Sequence, residues 1–306
     1  MKLGMLTACL PDVPLDQIAA WASSHGYQGL EVAAWPRQLG RHWEASHIDV
    51  ANLDQDGATD VLATMGEHRL AISALAYYEN NLHTDVAERE RIHEHLRNCI
   101  DAAAKLDCGL VGTFVGRDIS KSVRDNLRLA ENVLPPLVDH ATTRGVRLVV
   151  ENCPLEGWHP DGYPANLAYS PELWDWLRTL GLQLNFDPSH LVWLGIDPVR
   201  ALSEHLDMML HVQAKDVEVD AVSRTRYGVF GKAVERSNPW DSGWWRYRVP
   251  GLGEVDWRRL VDRLHEGGFD GFVSVEHEDP VWSGSPDKVQ QGLVLAQRTL
   301  SPLLVD

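Results

Sequence analysis

Four apolar, β-branched runs in the second half of the chain end in side chains that hold cations or move protons. VRLVVEN carries Glu151, LQLNFDPSH carries Asp187 with His190 three residues on, LHVQAKD carries His211, Gln213, Lys215 and Asp216, and FVSVEHED carries Glu276. Side chains alternate along a strand, so His211, Gln213 and Lys215 share one face and Val212 and Ala214 the other. Ser274 and Glu276 likewise oppose Val273 and Val275. Taken singly, such a carboxylate is an ordinary helix cap or surface ion pair: Asp187 precedes Pro188, and Glu276 opens an acidic stretch to Asp279. Taken together, three carboxylates converging on one point would repel one another and resist ionisation unless a positive charge sat among them. A divalent cation is the economical solution. Oxygen ligands with one amide or imidazole suit Mn²⁺ first, then Mg²⁺ or Co²⁺, with Zn²⁺ admitted if an imidazole binds directly.

Bringing four strand ends together requires an architecture whose strands all point the same way. Short apolar runs alternate with helical-period segments along the whole chain, the pattern of repeated βα units. Eight runs are present: Leu3–Ala8, Gly29–Ala34, Leu70–Ala76, Leu110–Val115, Val146–Asn152, Leu182–Asp187, Met209–Lys215 and Gly271–His277. Eight parallel strands close a (β/α)8 TIM barrel, whose active site lies at the C-terminal strand ends. A doubly wound open sheet is the alternative, but no Gly-rich phosphate turn follows the first run. The expectation is an α/β fold with residues 1–306 as one TIM-barrel domain and a long insertion after strand 7, residues 217–250, forming a rim or lid. Pro135 and Pro136 are expected to bend the helical stretch that contains them.

Composition sets limits on partners. With 28 basic and 44 acidic residues the formal net charge is −16, a field that repels nucleic acid and anionic lipid. No apolar run reaches membrane-spanning length and the N-terminus has no signal-peptide pattern, so a cytoplasmic location is expected. The four cysteines lack C-x-x-C spacing and read as reduced thiols, mostly in the core. Twelve tryptophans, several gathered at Trp240, Trp244, Trp245 and Trp257, point to an aromatic surface with a use of its own.

With VVENCP, NFDPSHLVWLGID, HVQAKDVEVD, VPGLGEVDW and SVEHEDP in place, the chain resembles the xylose isomerase-like TIM barrels from Lys2 to about Leu300. That family includes ketose 3-epimerases, hydroxypyruvate isomerase, inosose dehydratase and endonuclease IV. The resemblance implies one divalent ion held by Glu151, Asp187, Gln213 and Glu276, with Glu151 and Glu276 on opposite sides of the substrate as catalytic base and acid. Many relatives have histidine at the third position. Gln213 is the ligand expected here, a glutamine carbonyl being a competent oxygen donor, and His211 is left as a supporting or substrate contact. His190 matches the family histidine that reaches a substrate oxygen beside the metal.

The remaining candidates are substrate contacts. Lys215 either neutralises a developing oxyanion or pairs with a carboxylate; Glu31, at the end of the second run, orients substrate, joins a network with His190 or satisfies the core. Glu156 and Trp158 follow Glu151 closely, and Trp244 and Trp245 either stack on a sugar or pack a lid or subunit interface. Arg246 and Arg248 offer a phosphate contact, but without a Gly-rich cradle an unphosphorylated or 3-keto sugar is favoured. The expected activity is a metal-dependent sugar isomerase or epimerase working through an enediolate, with β-elimination on a 3-keto-glycoside or keto-cyclitol as the alternative. An AP endonuclease is disfavoured by the charge, and a non-catalytic sugar-binding or partner subunit by the carboxylate cluster. The expected partner is a small sugar or keto-sugar, with homo-oligomerisation or a partner subunit left open.

Overall fold

The apolar runs become the strands of one closed parallel barrel: β1 (Lys2–Leu6), β2 (Gly29–Ala33), β3 (Ala71–Asn80), β4 (Leu110–Phe114), β5 (Arg147–Glu151), β6 (Gln183–Phe186), β7 (Met209–Ala214) and, closing it, β10 (Phe272–Val275). The computed structural model describes residues 1–37, 45–155, 164–238 and 241–305. Each strand pairs with its sequence neighbours, and closure is made by β1 against β10, with Lys2 opposite Phe272 and Met5 opposite Val275. A small antiparallel sheet, β8 (Asp216–Val219) and β9 (Trp245–Arg248), intervenes between β7 and β10.

Outer helices such as α1 (Leu15–Ser24), α2 (Gln55–Glu67) and α6 (Pro171–Thr179) bury one face each. In α3 (Val86–Lys105), Ile92, Leu96, Cys99, Ile100 and Ala103 recur at helical spacing and are buried, while Asp85 caps the first turn by accepting from the Glu88 amide. The helical stretch bends just before Pro135 and Pro136: α4 (Val123–Val133) ends and α5 (Pro135–Thr143) begins on either side of Leu134, which itself keeps right-handed helical dihedrals. Proline lacks an N–H and suits a first helical turn, so the pair interrupts the hydrogen-bond ladder and starts the second segment.

The barrel interior is polar at its C-terminal end, which requires room for large side chains to cross it. Gly112 on β4 provides some: a Cβ there would overlap the Tyr78 hydroxyl. With glycine at that position, Tyr78 reaches across to Glu31 on β2 and Asn185 on β6.

Two buried carboxylates, Asp216 and Asp279, fasten the β8–β9 ribbon at the end where Asp216 pairs with Arg248. Asp216 accepts from the amides of Val217, Gly251 and Val255, each at 2.9 Å, and from Trp257 Nε1 at 3.1 Å. Asp279 accepts from Arg248 Nε at 2.8 Å and the Val249 amide at 3.0 Å. These bonds fix how β9 sits over the barrel mouth, so its side chains are held in place there.

Candidate active site

Glu151 is the last residue of β5, Asp187 follows β6, and Glu276 follows β10. Alternation brings the three into the barrel mouth, where one carboxylate oxygen from each lies within 4.8 Å of the others. All three side chains are buried. Asp187 also starts α7 (Pro188–Leu194): its Oδ1 accepts the Ser189 amide at 2.8 Å, leaving Oδ2 for the site. Asn152 fixes its backbone, accepting from the Asp187 amide at 2.7 Å and donating to the Asp187 carbonyl at 2.8 Å. The helix-cap reading and the ligand reading of Asp187 are therefore compatible, one oxygen serving each.

Two side chains that can carry positive charge touch this cluster. Lys215 Nζ lies 2.8 Å from Glu276 Oε2, 3.0 Å from Glu278 Oε2 and 3.1 Å from Asp187 Oδ2. Burial alone would push its ammonium down, but the carboxylates of Glu276, Glu278 and Asp187 outweigh this and hold it well above the ordinary lysine value. His190 Nε2 sits 3.0 Å from Glu151 Oε1 and 3.1 Å from Asp187 Oδ2. Burial opposes its charged form as well; its acidic neighbours, among which Asp187 carries the charge at neutral pH, raise it well above the ordinary value. Asp187 is held low because Lys215 and His190 together overcome its burial. Glu276 is pushed high by burial and by the charges of Glu151 and Glu278, against the pull of Lys215.

Gln213 and His211, adjacent inward positions on β7, have different surroundings. Gln213 Nε2 donates to Glu31 Oε1 at 3.1 Å and to the Tyr78 hydroxyl at 3.2 Å. Its carbonyl Oε1 is buried with no hydrogen-bond partner among the described residues. Both ring nitrogens of His211 are engaged, Nδ1 with Asn185 Oδ1 at 2.9 Å and Nε2 with Ser73 Oγ at 3.1 Å. Burial pushes this imidazole down to about 3, so it is neutral. Three clustered carboxylates and an unsatisfied amide oxygen are a donor set that fits a hard divalent cation.

Glu31 bonds Tyr78 and Gln213, and burial raises it to about 7. Its hydrogen bonds thus tie it to β7 and β3, while His190 bonds Glu151, Asp187 and Tyr247. Arg246 and Arg248 both pair with Glu218, and Arg248 with Asp279 also. Trp244 is buried against Trp193 and Val217, under the Arg224 guanidinium. The expected contacts Glu156 and Trp158, like Trp240, lie outside the described residues.

Tyr247 and Tyr78 are contributors that sequence reasoning missed. Tyr247, on β9, bonds His190 Nδ1 through its hydroxyl at 2.9 Å, and the Lys215 ammonium lies 4.5 Å from its ring centroid. Trp245 packs on Tyr247 and stacks on Trp193 of α7, the helix that carries His190. The alternation in Trp-Arg-Tyr-Arg was available as a signal, since it puts Trp245 and Tyr247 on one face.

The family model for xylose isomerase-like TIM barrels matches residues 19–298, and the chain belongs to that family. Among curated proteins it is 32% identical over 124 residues to the uncharacterized protein YfiH of Bacillus subtilis (strain 168), 39% of each chain. It is 30% identical over 102 residues to an inosose dehydratase of Geobacillus thermodenitrificans (strain NG80-2), 32% of each. The chain thus spans about a third to two fifths of the length of these curated relatives. Among solved structures it is similar to the IOLI protein with a bound zinc atom, with a TM-score of 0.72 at 17% identity over 100% of both chains. It is also similar to a D-psicose 3-epimerase solved with D-fructose, with a TM-score of 0.67 at 13% identity over 98% of this chain and 99% of that one. At such identities the solved structures speak to the fold. Members of the family include sugar-modifying isomerases, epimerases and dehydratases.

Proposed function

We propose that the chain is a divalent-metal-dependent sugar isomerase or epimerase that removes a proton from the carbon beside a carbonyl. The observation that carries this reading is the convergence of buried Glu151, Asp187 and Glu276, with Gln213 Oε1 buried and without a hydrogen-bond partner among the described residues. Glu151, Asp187, Gln213 and Glu276 would hold the ion, with manganese favoured by an all-oxygen set. Such an ion, when bound, polarises a carbonyl and acidifies the neighbouring C–H.

The chain's own residues do the rest. Glu151 and Glu276 lie on β5 and at the end of β10, so one carboxylate takes the proton and the other returns one. Return to the opposite face of the same carbon epimerises, and return to the adjacent carbon isomerises. Lys215 offsets negative charge gathering on the enediolate oxygens. Tyr247 orients His190, whose Nε2 faces Glu151 and Asp187 and can donate to a substrate oxygen.

That last feature favours a second reading. A proton on His190 can assist departure of a hydroxyl β to the carbonyl, turning the same enediolate toward elimination, and curated relatives are named inosose dehydratase. The favoured substrate is a small unphosphorylated ketose, inosose or 3-keto-glycoside, because Arg246 and Arg248 are taken up by carboxylates. The test incubates manganese-loaded protein with these three substrate classes and identifies products by NMR. An epimer or isomer supports the first reading and an unsaturated ketone the second, while unchanged substrates in every class would remove both.

A further inference from the structure

Beside the oxygen-lined position lies a donor set of different chemistry. Cys153, His190 and Glu151 each offer one ligand atom within 4.8 Å of the others. Glu151 and Cys153 are two residues apart where β5 runs out, so both can face the same side while Asn152 between them clamps Asp187. The segment is held rigidly: Asn166 Nδ2 donates to the Glu151 carbonyl at 3.0 Å and to the Cys153 carbonyl at 2.7 Å. The Leu155 amide donates to Cys153 Sγ at 3.4 Å, which fixes the position of the sulfur. His190 is wholly buried and Glu151 nearly so, while Cys153 is half-buried.

We propose that Glu151, Cys153 and His190 form a second, thiophilic metal site that takes Zn²⁺ or Co²⁺ and rejects Mg²⁺, sharing Glu151 with the oxygen-lined position. Sulfur, imidazole nitrogen and one carboxylate are the ligand types of zinc sites, whereas magnesium prefers oxygen alone. On binding, the Cys153 thiol and the His190 imidazolium each release a proton to solvent, and the sulfur and nitrogen lone pairs bond the metal, with no change in oxidation state. An ion there withdraws His190 and Glu151 from proton transfer, so excess zinc inhibits turnover. Inhibition rests on the function proposed above; the site itself does not.

The test titrates Co²⁺ into reduced, metal-free protein while near-ultraviolet absorption is followed for a sulfur-to-cobalt charge-transfer band. The band is expected in the wild type and not in Cys153→Ser. As a second readout on unmutated protein, Zn²⁺ at about 100 times its Kd slows carbamidomethylation of Cys153 about 100-fold, and Mg²⁺ leaves it unchanged. Peptide mass spectrometry separates Cys153 from Cys9, Cys99 and Cys108. Cobalt bound without the band, a band that survives in Cys153→Ser, or equal alkylation with and without zinc overturns the site. Neither readout depends on turnover, so failure of the proposed activity leaves this result legible.

Discussion

His211 offers a prediction whose size follows from its surroundings. Both ring nitrogens are bonded inside the barrel and burial lowers the imidazole to about 3. In the unfolded chain it titrates near the ordinary value of about 6.5. Because the folded value is the lower one, the unfolded chain binds more protons between these limits. The contribution is therefore complete above about pH 6.5, shrinks as pH falls below it, and levels off near the folded value. Between about pH 7.5 and about pH 5 the loss is ~2 kcal/mol, from roughly 1.5 pH units of differential protonation at ~1.4 kcal/mol each. The assay is guanidinium unfolding of wild type and His211→Gln at both pH values. The variant is expected to start lower, since a buried bond is lost, but to fall by about 2 kcal/mol less on acidification. Groups common to both proteins, including the buried His93 and His277, cancel in that difference. Equal acid sensitivity of the two proteins would show that His211 titrates normally and is open to the site, and the account of its neutral, fully bonded ring would fail.

Other expectations concern the mouth of the barrel. Glu151→Gln and Glu276→Gln should each slow proton exchange by about 10²–10⁴-fold, read by NMR on folded protein; full activity in either removes it from the acid–base pair. Gln213→Ala should weaken Mn²⁺ binding measured by calorimetry more than His211→Gln does, and the reverse order would exchange their roles. Tyr247→Phe keeps the ring beneath Lys215 but removes the hydroxyl from His190 Nδ1. It should lower kcat about tenfold, the equivalent of one hydrogen bond, with KM nearly unchanged; an effect confined to KM would make Tyr247 a substrate contact instead.

The barrel was legible because its strands are buried on both faces and so appear as uninterrupted apolar runs between helical segments. The runs Val146–Asn152 and Leu182–Asp187 match β5 and β6 to within a residue at each end for that reason. Alternation likewise put Gln213 and Lys215 inward, and both face the barrel interior. The third run shows where this reasoning stops. Its apolar run predicts an end at Ala76, whereas β3 continues to Asn80 with register shifts against both neighbours. Simple alternation fails across such irregularities, which hid the inward course of Tyr78. Tyr247 was hidden for another reason: its partner His190 is 57 positions away, and its place depends on Asp216 and Asp279 fastening the β8–β9 ribbon. Asp216 continues the functional strand in sequence, yet its carboxylate accepts from Val217, Gly251, Val255 and Trp257 and so holds that ribbon.

The central claim is that this carboxylate cluster, loaded with a divalent ion, enolises a sugar beside its carbonyl. Its most direct test is deuterium wash-in from D₂O with metal-loaded and chelator-treated protein, across ketoses, inososes and 3-keto-glucosides. The account predicts exchange at the carbon next to the carbonyl in one substrate class, lost with the chelator and restored by Mn²⁺. Exchange that persists in metal-free protein, or none in any class despite bound metal, would contradict it.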